Sequence, residues 1–267
     1  MHEPIPAAEI QAAEAYEDLH VAALFAEWAP RVLDAAEVGP GADVLDVACG
    51  TGVVARAALG RVGESGSVTG LDRNRAMLAI GERLAPAADW RCGDAAELPF
   101  EDQSFDAVVS QFGLMFFADR GAAIAEMYRV TRRGGRLVVA VWDALEASPA
   151  YPIEVELLER LAGSPAAEAL RAPFVLGDAG ELSGLFEEAG VADTTAATIV
   201  GTARFPSVRS MVEADLRGWL PVMGVHLEEE VIARILSEAE SALARFVTAD
   251  GALVFDSPAH IISGTRG

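Results

Sequence analysis

Residues 44–52 read VLDVACGTG, an apolar run that ends in a glycine turn and passes at once into the helix-forming stretch VVARAAL. A buried strand that turns directly into a helix is the first half of a βαβ unit. It commits the chain to a parallel sheet with helices over its faces. Gly50 and Gly52 permit positive φ and close approach of a ligand to the backbone, and the helix amino terminus presents free N–H groups. Gly50-Thr51-Gly52-Val53-Val54-Ala55 also fits the GxGxxG/A dinucleotide pattern, a weak signal taken alone. The plainer reading is a glycine turn that binds nothing.

The alternation continues downstream. Apolar runs predict strands at 43–48, 67–71, 89–92, 105–110 and 136–142, separated by helices at 53–59, 75–84 and 120–130. The last of these helices is expected to stop at Gly134 and Gly135. Before the alternation, residues 7–37 read as two helical pieces, with Pro30 starting or kinking the second. After Trp142 a loop at 143–150 leads to helical residues 153–171, broken at Gly163-Ser164-Pro165. A helix at 178–188 has Asp178 as N-cap and Gly190 past its end. A strand at 191–204, helices at 207–217 and 227–245, and a closing strand at 252–263 complete the chain, Pro258 marking an edge or a bulge. With no repeat or low-complexity linker, residues 1–267 are expected to form one domain: a helical lid (1–39), a cofactor-binding core (40–142), and the remaining strands with helical cap segments (143–267).

Charge narrows the partners. Acidic residues outnumber basic ones 41 to 20, a formal charge of −21 that repels phosphate backbones and anionic lipid. Nucleic acid and stable membrane association are therefore not expected, and a neutral or cationic small molecule is favoured; the plainer reading of the acidity is solubility. Cys49 and Cys92 have no ligand spacing, so neither a disulfide framework nor a metal site is expected. The amino terminus lacks the pattern of a signal peptide, and no apolar run spans a bilayer, which predicts a cytoplasmic protein; a homodimer is left open.

Three acids lie at successive strand ends. Asp46 precedes the turn, where a carboxylate repels a pyrophosphate and favours a cation such as a sulfonium with an ammonium group. Its plainer role is to cap the glycine loop. Asp72 ends the second strand, 20 residues after Gly52, where a Rossmann-like fold sets an acid for ribose hydroxyls; the alternative is an N-cap for the next helix. Asp94 follows the third strand and suits an adenine amino group, with the Ala95 N–H for a ring nitrogen; the alternative is a turn residue.

In order, VLDVACGTG, GLDRN, GDAAELPF, FDAVVSQFGLMFF and RVTRRGGRL cover roughly residues 40–142. Together they resemble the class I S-adenosylmethionine-dependent methyltransferases, in particular the group that includes ubiquinone- and menaquinone-biosynthesis enzymes. The resemblance implies a Rossmann-like α/β fold with a seven-stranded, mostly parallel sheet and an antiparallel last strand, and S-adenosyl-L-methionine as cofactor. It implies that Gly50 and the nearby backbone of Ala48, Thr51 and Gly52 hold the methionine moiety and Asp72 the ribose. Gly93, Asp94 and Ala95 would hold the adenine, Arg73 and Met77 flank it by position, and Gln111 touches the methionine end.

Methyl transfer from a sulfonium needs alignment and dryness, and a general base only when the acceptor must lose a proton. No catalytic residue is assigned. His20, His226 and His260 are candidates, and His2 sits at the end of the chain. Residues 110–113 (SQFG) lack the Asn/Asp-Pro-Pro-Tyr arrangement of many nucleic-acid amino-methylating enzymes, in accord with the acidic surface. Phe112, Met115, Phe116 and Phe117 are expected either to line an acceptor pocket or to form core, and Tyr16, Phe25 and Trp28 either to form a lid or to form core. Two rivals stand beside the methyltransferase: a protein that binds the cofactor without catalysis, and an NAD-dependent oxidoreductase. Asp46 and the lack of a Tyr-x-x-x-Lys pair count against the oxidoreductase.

Overall fold

The computed structural model describes residues 4–267, so His2 lies outside the described residues. Seven strands form one sheet: β1 (Asp43–Val47), β2 (Ser67–Asp72), β3 (Asp89–Cys92), β4 (Phe105–Gln111), β5 (Thr131–Trp142), β6 (Thr195–Phe205) and β7 (Leu253–Thr265). Their order is β3-β2-β1-β4-β5-β7-β6, and only β7 runs against the others. The chain order reverses between β1 and β4, which opens a crevice at the carboxyl ends of these two strands.

The helices are α1 (Ala7–Ala15), α2 (Trp28–Ala35), α3 (Val53–Val62), α4 (Arg75–Leu84), α5 (Arg120–Val130), α6 (Tyr151–Leu161), α7 (Ser164–Arg171), α8 (Ala179–Glu188), α9 (Val208–Ala214), α10 (Leu220–Val222) and α11 (Glu229–Ala242). Two π-helical segments, Tyr16–Phe25 and Asp215–Trp219, follow α1 and α9 directly. Helices cover both faces of the sheet, so Val44, Leu45 and Val47 of β1 and residues 137–142 of β5 are buried, as unbroken apolar runs require. One core runs from Ala23 to Ile262. Local capping follows the sequence: Asn74 accepts the N–H groups of Ala76 and Met77, Asp178 those of Gly180 and Glu181, and Ser207 and Ser210 close a capping box on α9.

Two expectations are corrected. The glycine pair does not stop α5; the helix ends at Val130 because Thr131 turns extended (ψ 134°) and already pairs with Phe105, while Gly134 (φ +76°) bends the chain within β5. Nor does Pro258 mark an edge or bulge, since β7 lies between β5 and β6. Asp143 donates to the Pro258 carbonyl, and a strand residue's N and C=O face the same neighbour, so the absent N–H points where β5 has ended.

No local sequence pattern points to what fills the space among β2, α3 and α4. The Trp90 indole of β3 occupies it, donating from Nε1 to the Ala85 carbonyl at 3.0 Å. Glycines make the room: a Cβ at Gly52 would collide with the indole, and one at Gly70 or Gly81 would lie 2.7 Å from it. Gly81→Ala should therefore destabilise, because overpacking costs about 1–3 kcal/mol and exceeds the helix-propensity gain of about 1 kcal/mol. Gly60→Ala in α3, with nothing within 4 Å, should instead stabilise by about 0.5–1 kcal/mol. Urea unfolding of both variants checks the opposite signs.

Candidate functional site

The chain leaves β1 through two left-handed residues, Ala48 and Gly50 (φ +56° each), and enters α3 at Gly52 (φ +82°). Ala48 carries a Cβ in a conformation that costs an L-residue roughly 1–2 kcal/mol. Phe112, just past β4, does the same at φ +56°. Strained backbone thus borders the crevice on both strands.

Asp72 binds the turn to the next strand. Its Oδ2 accepts the Gly50 N–H at 2.8 Å and its Oδ1 the Asn74 N–H at 2.8 Å. Asn74, not Asp72, caps α4, so the N-cap alternative for Asp72 is not what the fold uses. Burial raises the Asp72 carboxyl above the usual range, against the backbone N–H groups that lower it. Each oxygen keeps a second lone pair for a ligand.

Asp46 lies beneath the turn, 1 % exposed, and its Oδ2 accepts the Ala55 N–H at 3.0 Å. Burial, with the Asp72 charge adding to it, pushes its pKa up to about 8. The carboxyl is therefore mostly neutral and holds the first turn of α3 rather than facing outward as a charge, which corrects the electrostatic argument drawn from its position.

The amino-terminal segment folds over this turn. The Tyr16 ring packs on Gly50, where a Cβ would meet it at 3.8 Å. Burial first, then the charges of Asp72 and Glu17, keep its hydroxyl protonated. Glu17 accepts from Thr51 Oγ1 at 2.5 Å and from Arg56 at 2.6 Å, and Arg56 also donates to the Thr51 carbonyl at 2.6 Å. This latch pins the first π segment to α3. Removing it with Glu17→Ala should cost about 1 kcal/mol locally and speed amide hydrogen exchange across Tyr16–Phe25 roughly 3- to 10-fold.

Gln111, at the end of β4, donates from Nε2 to the Phe25 carbonyl at 3.1 Å, and its Oε1 is buried without a partner. Phe112 stacks on Trp142 at 3.7 Å, and Phe25 and Trp28 pack around the pair. Trp28 is fully buried and belongs to the core, not to a lid. Phe112 and Met115 are buried too, whereas Phe116 is 41 % exposed.

Beyond Asp72, the Gly93 N–H donates to the Asp72 carbonyl at 3.1 Å, which brings Gly93-Asp94-Ala95 alongside. Asp94 is exposed and its Oδ1 accepts the Ala96 N–H at 2.9 Å, a turn contact; Ala95 is buried. Arg73 is exposed, and Met77 packs with Ile5, Ile10, Ala13 and Ile80 between α1 and α4. Of the histidines, His226 is exposed. His260 is spent in the sheet, bonded to Thr198 Oγ1 and the Gly177 carbonyl at 2.9 Å each. His20 meets Asp215, a partner 195 residues away that no local pattern in the sequence could show.

Residues 45–139 match the family described as a methyltransferase domain. The match is confined to this segment of the chain. It holds the glycine turn, Asp72, Gly93-Asp94-Ala95 and Gln111, the side of the crevice just described. The chain is 42 % identical over 134 residues to the demethylmenaquinone methyltransferase of Renibacterium salmoninarum, covering 50 % of this chain and 55 % of that one. It is 41 % identical over 140 residues to the ubiquinone/menaquinone biosynthesis C-methyltransferase of Bordetella avium, with the same two shares, 50 % and 55 %. The chain thus spans about half the length of these curated relatives. The fold is shared more widely. A structure described as a putative methyltransferase from an antibiotic biosynthesis pathway of Anabaena variabilis has a TM-score of 0.65 at 15 % identity, covering 90 % of this chain and 96 % of that one. Phosphoethanolamine N-methyltransferase 2 of Haemonchus contortus, solved with S-adenosylhomocysteine, has a TM-score of 0.60 at 16 % identity, covering 97 % and 58 %.

Proposed function

We propose that this chain transfers a methyl group from S-adenosyl-L-methionine to an O, N or C centre of a small-molecule acceptor. The observation that carries the reading is the joint between Asp72 and the Gly50 N–H at the crevice, inside the methyltransferase-family segment. The residues present fit the cofactor. Gly50 has no side chain to fill the turn, Asp72 has free lone pairs on both oxygens, and Gln111 Oε1 is a buried acceptor in need of a donor such as an ammonium.

Gly50, with the backbone of Ala48, Thr51 and Gly52, would hold the methionine part, Asp72 the ribose hydroxyls, and Gly93, Asp94 and Ala95 the adenine. Exposed Arg73 and half-buried Met77 flank the adenine side. Asp46 supports the turn from below. The cofactor supplies an electrophilic methyl on a sulfonium, and the chain orients the acceptor and keeps water out. Because Tyr16 lies on Gly50, binding requires the first π segment to yield, and its return over the ligand excludes water.

The relatives are named for quinone substrates, but the family segment ends at residue 139, and the later residues that complete the crevice lie outside it. The acceptor is therefore left at the level of a small molecule. A formal charge of −21 supports an acceptor that is not a nucleic acid and a protein free in the cytoplasm; among the described residues no helix is long and apolar enough to cross a membrane. Calorimetry tests the reading: S-adenosylmethionine and its demethylated product should bind, and NAD should not. Binding without methyl transfer to any component of a metabolite extract would favour a sensor instead.

A further inference from the structure

The two π-helical segments meet at a buried polar cluster that cofactor binding does not use. His20 comes from Tyr16–Phe25, Asp215 opens Asp215–Trp219, and Glu154 lies on α6. His20 Nε2 stands 3.4 Å from Asp215 Oδ1, a contact of the length that tightens when a ligand binds. π-helix accounts for well under about 1 % of residues in proteins and recurs at functional sites. Two such segments here supply the two members of one pair.

The cluster is costly as a piece of scaffold. Glu154 is fully buried and Asp215 is 3 % exposed. His20 Nδ1, Asp215 Oδ2 and both Glu154 oxygens are buried without a hydrogen-bond partner. Leaving such an atom unpaired in the interior is destabilising. Burial, then the neighbouring Asp215 charge, raises the Glu154 carboxyl well above the usual range, so Glu154 keeps its proton.

Its position faces the crevice. The Tyr16 ring stacks on His20 at 5.7 Å and packs on Gly50, so one aromatic ring separates the cluster from the glycine turn. Gly218 of the second π segment faces the His20 Cε1, and Tyr151 lies near both acids. The next residue, Trp219, packs on exposed Phe116 at 5.0 Å, which gives the cluster an aromatic rim.

We propose that this cluster is the acceptor site, taking an apolar molecule with an O–H or N–H nucleophile, and that His20 is the general base for its methylation. The proposal rests on the methyltransferase reading. With Nε2–H held by Asp215, the lone pair of Nδ1 receives the acceptor's proton, and the neutral Glu154 carboxyl orients the same polar group. The acceptor oxygen or nitrogen forms its bond to the methyl carbon as the carbon–sulfur bond breaks. The sulfur keeps that electron pair and becomes a neutral thioether, and the proton on His20 passes to solvent. Asp215 faces His20 from the second π segment and Tyr16 stacks on it from its own helix, while Glu154 and Tyr151 of α6 lie beside Asp215.

The test loads nitrogen-15 histidine-labelled protein with S-adenosylhomocysteine and titrates in 1-naphthol, for the O–H class, or benzylamine, for the N–H class. One of the two probes should shift the His20 Nδ1 resonance saturably and bind His20→Gln about tenfold more weakly, while S-adenosylhomocysteine binds both proteins alike. With labelled S-adenosylmethionine, turnover of that probe should fall 10²- to 10⁴-fold in His20→Gln. The acid limb of the pH profile should vanish with it. Asp215→Asn, a change in a positioning residue, should slow turnover and move that limb without changing cofactor affinity. If S-adenosylhomocysteine fails to bind the unaltered protein, the methyltransferase reading falls. If it binds and neither probe moves the His20 signal, or His20→Gln keeps full turnover, the acceptor-site assignment is overturned.

Discussion

Asp72→Ala should weaken S-adenosylmethionine binding roughly 10- to 100-fold, because hydrogen bonds to a charged group are worth about 1.5–3 kcal/mol. The same change should lower folding stability by about 1–3 kcal/mol, since the Gly50 N–H loses its acceptor at a turn held in positive φ. The two effects have separate readouts. Calorimetry well below the unfolding transition reports the ligand, and urea unfolding without ligand reports the turn. Asp72→Asn refines the result: it keeps one oxygen for Gly50 or Asn74 and loses the charge, so stability should recover more than affinity does. An Asp72→Ala protein that folds normally and binds the cofactor as tightly as the unaltered chain would remove Asp72 from the ribose.

The sheet was readable because β1, β2, β4 and β5 carry apolar runs set between helices, whereas β3 (Asp-Trp-Arg-Cys) is short and mostly exposed. Predicted helices at 75–84 and 120–130 and the strand at 89–92 match α4, α5 and β3 to the residue. Where those signals were ambiguous, tertiary contacts decided. Gly134 looked like a helix stop, yet its N–H donates to the Arg266 carbonyl beside β7. Pro258 looked like an edge residue, but only the length of β5, set by pairing, shows that its missing N–H falls beyond a neighbour's end. The residues proposed to hold the cofactor could be grouped from the sequence because they sit at strand ends in sequence order, which the fold brings to one crevice. Asp46 was located correctly, but its charge state depends on burial, which a sequence does not display. Trp90 in its glycine-lined slot, the Glu17 latch and the His20–Asp215 contact join residues far apart in the chain, and helical periodicity says nothing about such pairs.

Asp46→Asn should make the protein progressively more stable than the unaltered chain as pH rises from about 5 to 8, by roughly 1.4 kcal/mol per unit. In the folded chain Asp46 keeps its proton up to about pH 8, whereas in the unfolded chain an Asp loses it near about 3.9. Between these values the folded state holds the extra proton, so raising the pH favours unfolding. The contribution of neutral Asp46 is complete below the unfolded value and is lost as pH climbs through the folded one. Asparagine has no proton to lose, and its side-chain oxygen can still accept the Ala55 N–H, so the two proteins should converge near pH 4. The acidity of the rest of the chain acts on both alike and cancels in the difference. Glu154, also raised by burial, adds a slope of the same sign that Glu154→Gln should remove separately. Because the two carboxyls serve different clusters, the double variant should show the sum. Urea unfolding across this range decides the matter: parallel stability curves for Asp46→Asn and the unaltered protein would mean that Asp46 is ionised beneath the turn.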